Sequence, residues 1–482
     1  MTSILRRWWE DWTAGAPEAA AERARARLTV HAWPESLSAI LARLREGGHA
    51  AYLVGGTVRD ALLGRASADA IDVATDLIPS EVTRRFAHVA PTGARHGTVT
   101  IVEGGLVAEC TTFRREGAYT DARRPDHVEF TADPTEDLAR RDLTVNALAW
   151  DPEALALLDP HDGALDLERR VLRAVGDPFA RFREDALRPL RVARFTATLE
   201  MEPDPRLRAA LEALGAPHSG YAGAALAAER VRAELDRMLL AREPSRGFEV
   251  LREAGLLALW LPELAACRGV PQNRFHAYDV YFHSVYACDA APAGKPDVRW
   301  AALLHDIGKP DTRVERDGEG TFYNHQFVGV ELADRLLERL RFPLERRARI
   351  VHLVREHMFD YRPGWSEAAL RRWLRRVGTE IVADLFDLRI ADTLGNGLRQ
   401  GFPVALDEMR RRIEALLASA DALRVTDLEV NGDDIMRELE LAPGPAVREA
   451  LEALLEEVMD DPSRNTRDHL LARLRDRRHA KA

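Results

Sequence analysis

The spacing of apolar residues changes once along this chain, and that change constrains the fold more than any other feature. Up to about Asp137 the chain carries short apolar stretches bounded by Gly and polar turns: Ala51–Gly56, Ile71–Thr75, Thr98–Val102 and Leu106–Thr112. Runs of that length predict β-strands, and the spacing from Pro34 to Gly48 predicts a helix ahead of them. Beyond Asp137, Leu, Ala and Arg recur three and four residues apart almost to the end. Pro and Gly interrupt this helical pattern near Gly176–Pro178, Pro203–Pro205, His218–Gly223, Pro292–Pro296 and Pro443–Pro445. The prediction is an α+β protein, a small mixed-sheet head followed by a long helical body. It divides into an Ala/Arg/Glu-rich extension over 1–35, a head over 36–165, an all-α neck over 166–272, a His-bearing helical domain over 273–400 and a helical tail over 401–482. A chain of 482 residues, 46% of them hydrophobic, has material for several cores.

Several classes are excluded. No apolar run approaches the roughly 18–20 residues of a membrane span. Met1–Trp12 holds two Arg and three Trp in place of the apolar stretch of a secretory signal. Cys110, Cys267 and Cys288 have no paired spacing, which excludes a disulfide scaffold and a thiolate zinc cluster. A soluble cytoplasmic protein is expected, with no membrane partner and no protein partner inferred. The net charge of −10 offers no global basic field, so a nucleic-acid site must come from local patches.

The first chemically informative stretch is Leu53-Val54-Gly55-Gly56-Thr57-Val58-Arg59-Asp60. A strand that runs through two glycines into a helix lets backbone N–H groups close on an anion, and Arg59 can add a bidentate phosphate contact. Such turns are often only structural, but the acids that follow change the balance. Asp72 lies on the next strand, in Asp69-Ala70-Ile71-Asp72, and Glu109 on a later one, in Glu109-Cys110-Thr111-Thr112-Phe113-Arg114. Carboxylates on neighbouring strands beside a phosphate-binding turn are what two-metal phosphoryl transfer needs.

These motifs are followed in order by Arg140-Arg141-Asp142-Leu143-Thr144-Val145-Asn146-Ala147 and Glu184-Asp185-Ala186-Leu187-Arg188-Pro189-Leu190-Arg191. The set resembles the bacterial tRNA nucleotidyltransferase/poly(A) polymerase family, with its polymerase-β-like head, densely over residues 50–270 and more thinly beyond. The resemblance implies that Gly55, Gly56 and Arg59 hold a triphosphate, with Arg114 contributing, and that Asp72 and Glu109 hold Mg²⁺. It implies that Arg141, Asp142 and Asn146 handle the sugar and order the site. Asp185 and Arg188 match an amino-acid template that reads the base edges of CTP and ATP, with Arg191 reaching phosphate. Their spacing predicts that Asp185 and Arg188 share one helix face. Arg123 and Arg124 fall in an expected mobile loop, and Glu229–Leu235 matches a neck helix with a structural role. One departure matters. The family's acidic strand carries two carboxylates one residue apart, so both project from one face, and the first position here is Ala70. Asp69 faces the other way unless the strand bulges. A chain disabled at one metal ligand is expected.

A second ligand set lies in the helical body. His283, then Ala301-Ala302-Leu303-Leu304-His305-Asp306-Ile307-Gly308-Lys309, and later Asp392 look like an HD-type phosphohydrolase domain. Imidazoles with carboxylates suit a divalent metal, here of unspecified identity. His325, His352 and His357 are candidates to extend the site. Phosphate esters at an RNA end are the expected substrates, a 2′,3′-cyclic phosphate or a terminal phosphate among them.

Basic clusters supply the expected RNA contacts: Arg371, Arg372 and Arg375 around Trp373, and Arg473, Arg475, Arg477 and Arg478 in the C-terminal segment, with Arg410–Arg412 between them. The leading expectation is template-independent addition of CCA to tRNA from CTP and ATP. CC-only, A-only or poly(A) addition stays open. So do an HD phosphohydrolase with a vestigial head and an RNA-binding protein without transfer.

Overall fold

The computed structural model describes residues 16–65, 70–116, 128–274, 276–316, 319–398, 404–418 and 423–479. The chain forms two compact units that divide after Pro262.

The first unit is built on a seven-stranded mixed sheet. Its strands are β1 (Ala51–Val54), β2 (Ile71–Thr75), β3 (Val89–Gly93), β4 (Thr98–Glu103), β5 (Leu106–Thr112), β6 (Ala149–Asp151) and β7 (Ala156–Leu158), in the order β3-β4-β5-β2-β1-β6-β7. β2 and β5 run parallel, with Asp72 opposite Glu109, and the other neighbours are antiparallel. Four strands lie where the apolar runs predict them. β3, β6 and β7 do not: Ala90-Pro91-Thr92-Gly93 reads as a turn, and three-residue strands are too short for alternation to register.

Helices cover the sheet because their apolar residues recur on one stripe. Leu37, Ile40, Leu41 and Leu44 are the buried positions of the helix Glu35–Arg45. The described part of the extension is helical: Ala20, Ala24 and Leu28 are buried along Ala16–Val30, and Arg23 reaches Glu168 at 2.6 Å. Beyond the sheet, the helix Arg188–Leu199 packs against Ala228–Leu239 and Ser245–Glu253.

Among the described residues the second unit is helical apart from one short hairpin, Val314–Arg316 with Glu319–Thr321. Val280–Ala290 packs against Val382–Gly395 and Pro296–Leu304, and His325–Arg339 against Leu344–Glu356. The core includes Trp300, Tyr281 and Phe386. A separate cluster of Ile435, Leu454, Leu455, Val458, Leu470 and Leu474 holds the last three helices together. Among the described residues no helix is long and apolar enough to cross a membrane.

Candidate active sites

The turn after β1 explains both of its glycines. Gly55 has φ 62°, and a Cβ there would lie 2.6 Å from Arg141 Nη1. A Cβ on Gly56 would lie 3.2 Å from Asp72 Oδ2. The left-handed φ of Gly55 favours glycine, and at both positions a Cβ would make the Arg141 or Asp72 side chain shift. Thr57 Oγ1 accepts the Asp72 N–H at 2.8 Å, which ties the turn to β2. Because Asp72 and Glu109 are register partners on parallel strands, their carboxylates leave the sheet on one face. Burial pushes the Asp72 carboxyl up, Arg141 opposes this, Glu109 adds to it, and the net shift is upward. Two carboxylates on one face of neighbouring strands are oxygen donors of the kind that suit a hard divalent cation. Ala70 lines the same cavity and offers no oxygen. Asp69, Arg123 and Arg124 lie outside the described residues.

That cavity, about 700 Å³, is walled by the glycine turn and by arginines. Arg59 donates to Asp60 at 2.8 Å and to Asn146 Oδ1 at 2.6 Å, and Asn146 Nδ2 donates to Asp142 at 3.0 Å. Arg191 Nε reaches the other Asp142 oxygen at 2.7 Å. Burial pushes the Asp142 carboxyl up, but Arg191 and the Asn146 bond hold it well below the usual range. Arg141 is anchored on Asp137 at 3.1 Å, and Arg114 donates to the His96 carbonyl while lining the cavity.

The Asp185–Arg188 arrangement departs from the expected shared helix face. Asp185 is extended (φ −137°, ψ 110°) between the helices Pro178–Glu184 and Arg188–Leu199. It leaves the helix because its Oδ1 accepts the Leu187 N–H at 3.0 Å, while Pro189 favours a new helix start. Its other oxygen takes Arg230 at 2.9 Å. Arg188 is buried, ion-paired with Glu184 and bonded to the Arg140 carbonyl at 3.1 Å. Both side chains still line the one cavity. Arg230 and Arg237 also line it, although sequence reading assigned the neck helix a structural role. The available signal was their seven-residue spacing, which puts two guanidinium groups on one stripe.

In the second unit six expected or candidate ligands converge. His283 Nε2 lies 3.4 Å from Asp306 Oδ2 and 3.1 Å from Asp392 Oδ1, and His305 Nε2 is 3.1 Å from Asp306 Oδ2. His325 and His357 join them from the other side of Asp306. His352 does not: its Nε2 meets the Val377 carbonyl at 2.7 Å. Lys309 holds Asp306 at 2.6 Å, and Arg389 holds Asp392 at 2.8 Å. Burial pushes the Asp306 carboxyl up, but His305 and Lys309 overcome it and leave it well below the usual range. Burial likewise pushes His357 down to about 3, aided by His305, so its ring is neutral as a ligand must be. Buried imidazoles around carboxylates that are held low fit a divalent metal. Adjacent space of about 380 Å³ opens beside Tyr323, Phe322, Lys309 and Arg389.

The basic clusters are mostly engaged within the chain. Arg371 is a correction: it is 4% exposed, donates to the Met459 carbonyl at 3.0 Å and pairs with Glu367, so it braces helices and presents nothing to phosphate. Arg372 pairs with Glu456 and Asp460, Arg375 with Glu456, Arg473 with Glu457 and Arg475 with Glu438. Trp373 packs against Phe359 in the core. The side chains of Arg477 and Arg478 lie outside the described residues.

Comparison with known proteins agrees with this geometry. Sequence profiles match residues 51–173 as a poly A polymerase head domain, 224–268 as a probable RNA and SrmB-binding site of polymerase A, and 275–397 as an HD domain. The chain is 35% identical over 423 residues to an A-adding tRNA nucleotidyltransferase of Deinococcus radiodurans, covering 84% of this chain and 91% of that one. It is 31% identical over 442 residues to a CCA-adding enzyme of Lactococcus lactis, covering 90% and 96%. A crystal structure of the Bacillus stearothermophilus CCA-adding enzyme in complex with CTP superposes with a TM-score of 0.71 at 28% identity, covering 93% of this chain and 98% of that one. The chain belongs to the bacterial tRNA nucleotidyltransferase/poly(A) polymerase family.

Proposed function

We propose that this chain adds nucleotides to the 3′ end of tRNA without a template, completing CCA from CTP and ATP. The observation that carries the reading is one cavity bounded by the Gly55–Gly56 turn, Asp72, and the Asp185 and Arg188 side chains. The relatives named as CCA-adding enzymes and the CTP-bound structure support the same substrates. In this reading Gly55, Gly56 and Arg59 grip the triphosphate. Arg141, Asp142 and Asn146 order the sugar, and Asp185 with Arg188 pairs with the base edge. The tRNA 3′-hydroxyl then attacks the α-phosphate and pyrophosphate leaves. Mg²⁺ at Asp72 and Glu109 would supply the charge stabilisation for attack and departure. Ala70 removes one expected oxygen from that set, so the chain as written transfers slowly. The surface arginines Arg372, Arg375, Arg473 and Arg475 would exchange their carboxylate partners for tRNA phosphate, and Arg477 and Arg478 would add to that contact.

A narrower reading, addition of the terminal A alone, is favoured by the A-adding relative. Labelled CTP and ATP, supplied singly to tRNAs ending before C, CC and CCA, separate the two. CTP incorporation together with ATP incorporation on the CC end supports full addition, ATP incorporation on the CC end alone supports the narrower reading, and no incorporation even with Ala70→Asp refutes both.

In the second unit, His283, His305, Asp306 and Asp392 support a metal-dependent phosphohydrolase that acts on phosphate esters at RNA ends and leaves a free hydroxyl. Product mapping on a tRNA ending in a 2′,3′-cyclic phosphate tests it, and an unchanged end after long incubation with divalent metals refutes it.

A further inference from the structure

We infer that Tyr221 is a positioning residue for base selection: its hydroxyl holds the peptide unit that aims the Asp185 carboxylate. The inference rests on the reading of Asp185 and Arg188 as the pair that meets the base edge. Tyr221 itself is not among the residues that line the nucleotide cavity, so it acts through Asp185.

The peptide unit between Ala186 and Leu187 is held at both ends. Its N–H donates to Asp185 Oδ1 at 3.0 Å, and its carbonyl accepts the Tyr221 hydroxyl. A peptide unit is planar, so these two bonds set one plane. They also reinforce each other, because a carbonyl that accepts a hydrogen bond makes the N–H of the same unit a stronger donor. Arg230 holds the other oxygen, Asp185 Oδ2, at 2.9 Å. Each carboxylate oxygen keeps a second lone pair, and the direction of those lone pairs decides which base edge they can meet. Loss of the Tyr221 donor frees the plane to tilt, and Asp185 Oδ1 tilts with it.

The phenol is itself firmly held. A Cβ on Gly223 would lie 2.2 Å from the Tyr221 ring, so the ring occupies space that a side chain at 223 would take. The Gly223 carbonyl accepts the indole N–H of Trp260 at 3.1 Å, and Trp260 is 5% exposed. The Tyr221 N–H donates to Ser219 Oγ at 3.3 Å. The Ser219 hydroxyl in turn donates at 2.6 Å to the Leu214 carbonyl, near the end of the helix Pro205–Gly215. Burial, and then the Asp185 charge, push the Tyr221 hydroxyl up, so the proton stays in place to be donated.

The test is single-turnover incorporation of CTP, UTP, ATP and GTP on tRNAs ending before C and before A. It uses the full chain carrying Ala70→Asp, with and without Tyr221→Phe, and Asp185→Ala as the reference for lost base reading. Tyr221→Phe keeps the ring and should melt within about 2–4 °C of its parent. The preference for CTP over UTP, and for ATP over GTP, should fall about three- to tenfold, the effect of one hydrogen bond. If Tyr221→Phe does not fold, Gly223→Ala displaces the ring instead, and the same fall is expected. A tyrosine that only braces its loop would lower all four rates alike and leave both preferences intact, which overturns the inference. Preferences lost in Asp185→Ala and kept in Tyr221→Phe overturn it as well, while the base reading stands. Preferences kept in both variants, or no incorporation by the parent, refute the base reading and the inference with it.

Discussion

Ala70 and Asp72 line one cavity, and of the two only Asp72 brings a side-chain oxygen to it. On the proposed reading Gly55, Gly56, Asp185 and Arg188 hold the nucleotide without a carboxylate at position 70, so the expected deficit falls on the chemical step. Ala70→Asp is expected to raise the rate of nucleotide addition about a thousandfold, which is roughly 4 kcal/mol of transition-state stabilisation. The affinity for tRNA should stay level. Single-turnover rates measure this, and an unchanged rate would show that Ala70 is not the missing ligand position. A second residue-scale prediction concerns acid stability. Asp137 has 2% of its side chain exposed and binds Arg140 at 2.7 Å and Arg141 at 3.1 Å. Burial pushes its carboxyl up, but the two guanidinium groups prevail and lower it. A folded-state value below the unfolded one, about 3.9, stabilises fully above that value and loses the contribution as pH falls through the folded value. Asp137→Asn should therefore cost about 3 kcal/mol at pH 7, with the gap to wild type closing below about pH 4. Urea midpoints across pH decide it; a gap that stays constant down to pH 3 would mean that charge plays no part.

At the scale of elements, the histidine cluster depends on a close crossing between the segment after His305 and the helix that begins at His325. A Cβ on Gly308 would lie 2.2 Å from the His325 carbonyl and 2.6 Å from the Gly329 nitrogen. Both are backbone atoms that cannot rotate away. Gly308→Ala should push the helix His325–Arg339 outward, cost about 1–3 kcal/mol and weaken metal retention along with the melting temperature. A variant that melts like wild type would show that the crossing has slack. This crossing also explains what the sequence could reveal. His283, His305, Asp306 and Asp392 were legible as a motif, because spacing and apolar context travel with them. His325, His352 and His357 were indistinguishable in sequence; helix packing alone brings two of them to Asp306 and turns the third to Val377. In the head, β1, β2, β4 and β5 were readable from their apolar runs. Asp185 was not: a side chain that caps its own backbone looks helical by spacing until the Leu187 N–H is seen to claim it. Arg371 misled for a related reason, since an arginine that ends on a buried carbonyl has the same letter as one that ends on phosphate.

At the scale of the whole molecule, the two proposed ligand sets sit in different compact units, Asp72 and Glu109 before Pro262 and the histidine cluster after it. No described ligand is shared between them, so their chemistries should separate by mutation. The substitutions need care. Asp306 is the partner of Lys309, which is only 7% exposed, and truncation to Ala would leave that buried ammonium without the acceptor it has there. His305→Gln with Asp306→Asn keeps polar atoms in place while it removes the metal donors. In a chain carrying Ala70→Asp, that pair should abolish phosphoester hydrolysis and leave CCA addition within about twofold. Asp72→Asn should do the reverse and lower addition by about a thousandfold, because a neutral amide cannot replace a carboxylate at a hard cation. Both activities would be followed on one tRNA preparation, with thermal melts to show that each variant is folded. Loss of both activities in a variant that melts normally would mean that the sites share a ligand or a conformational step, and the assignment of one chemistry to each unit would fail.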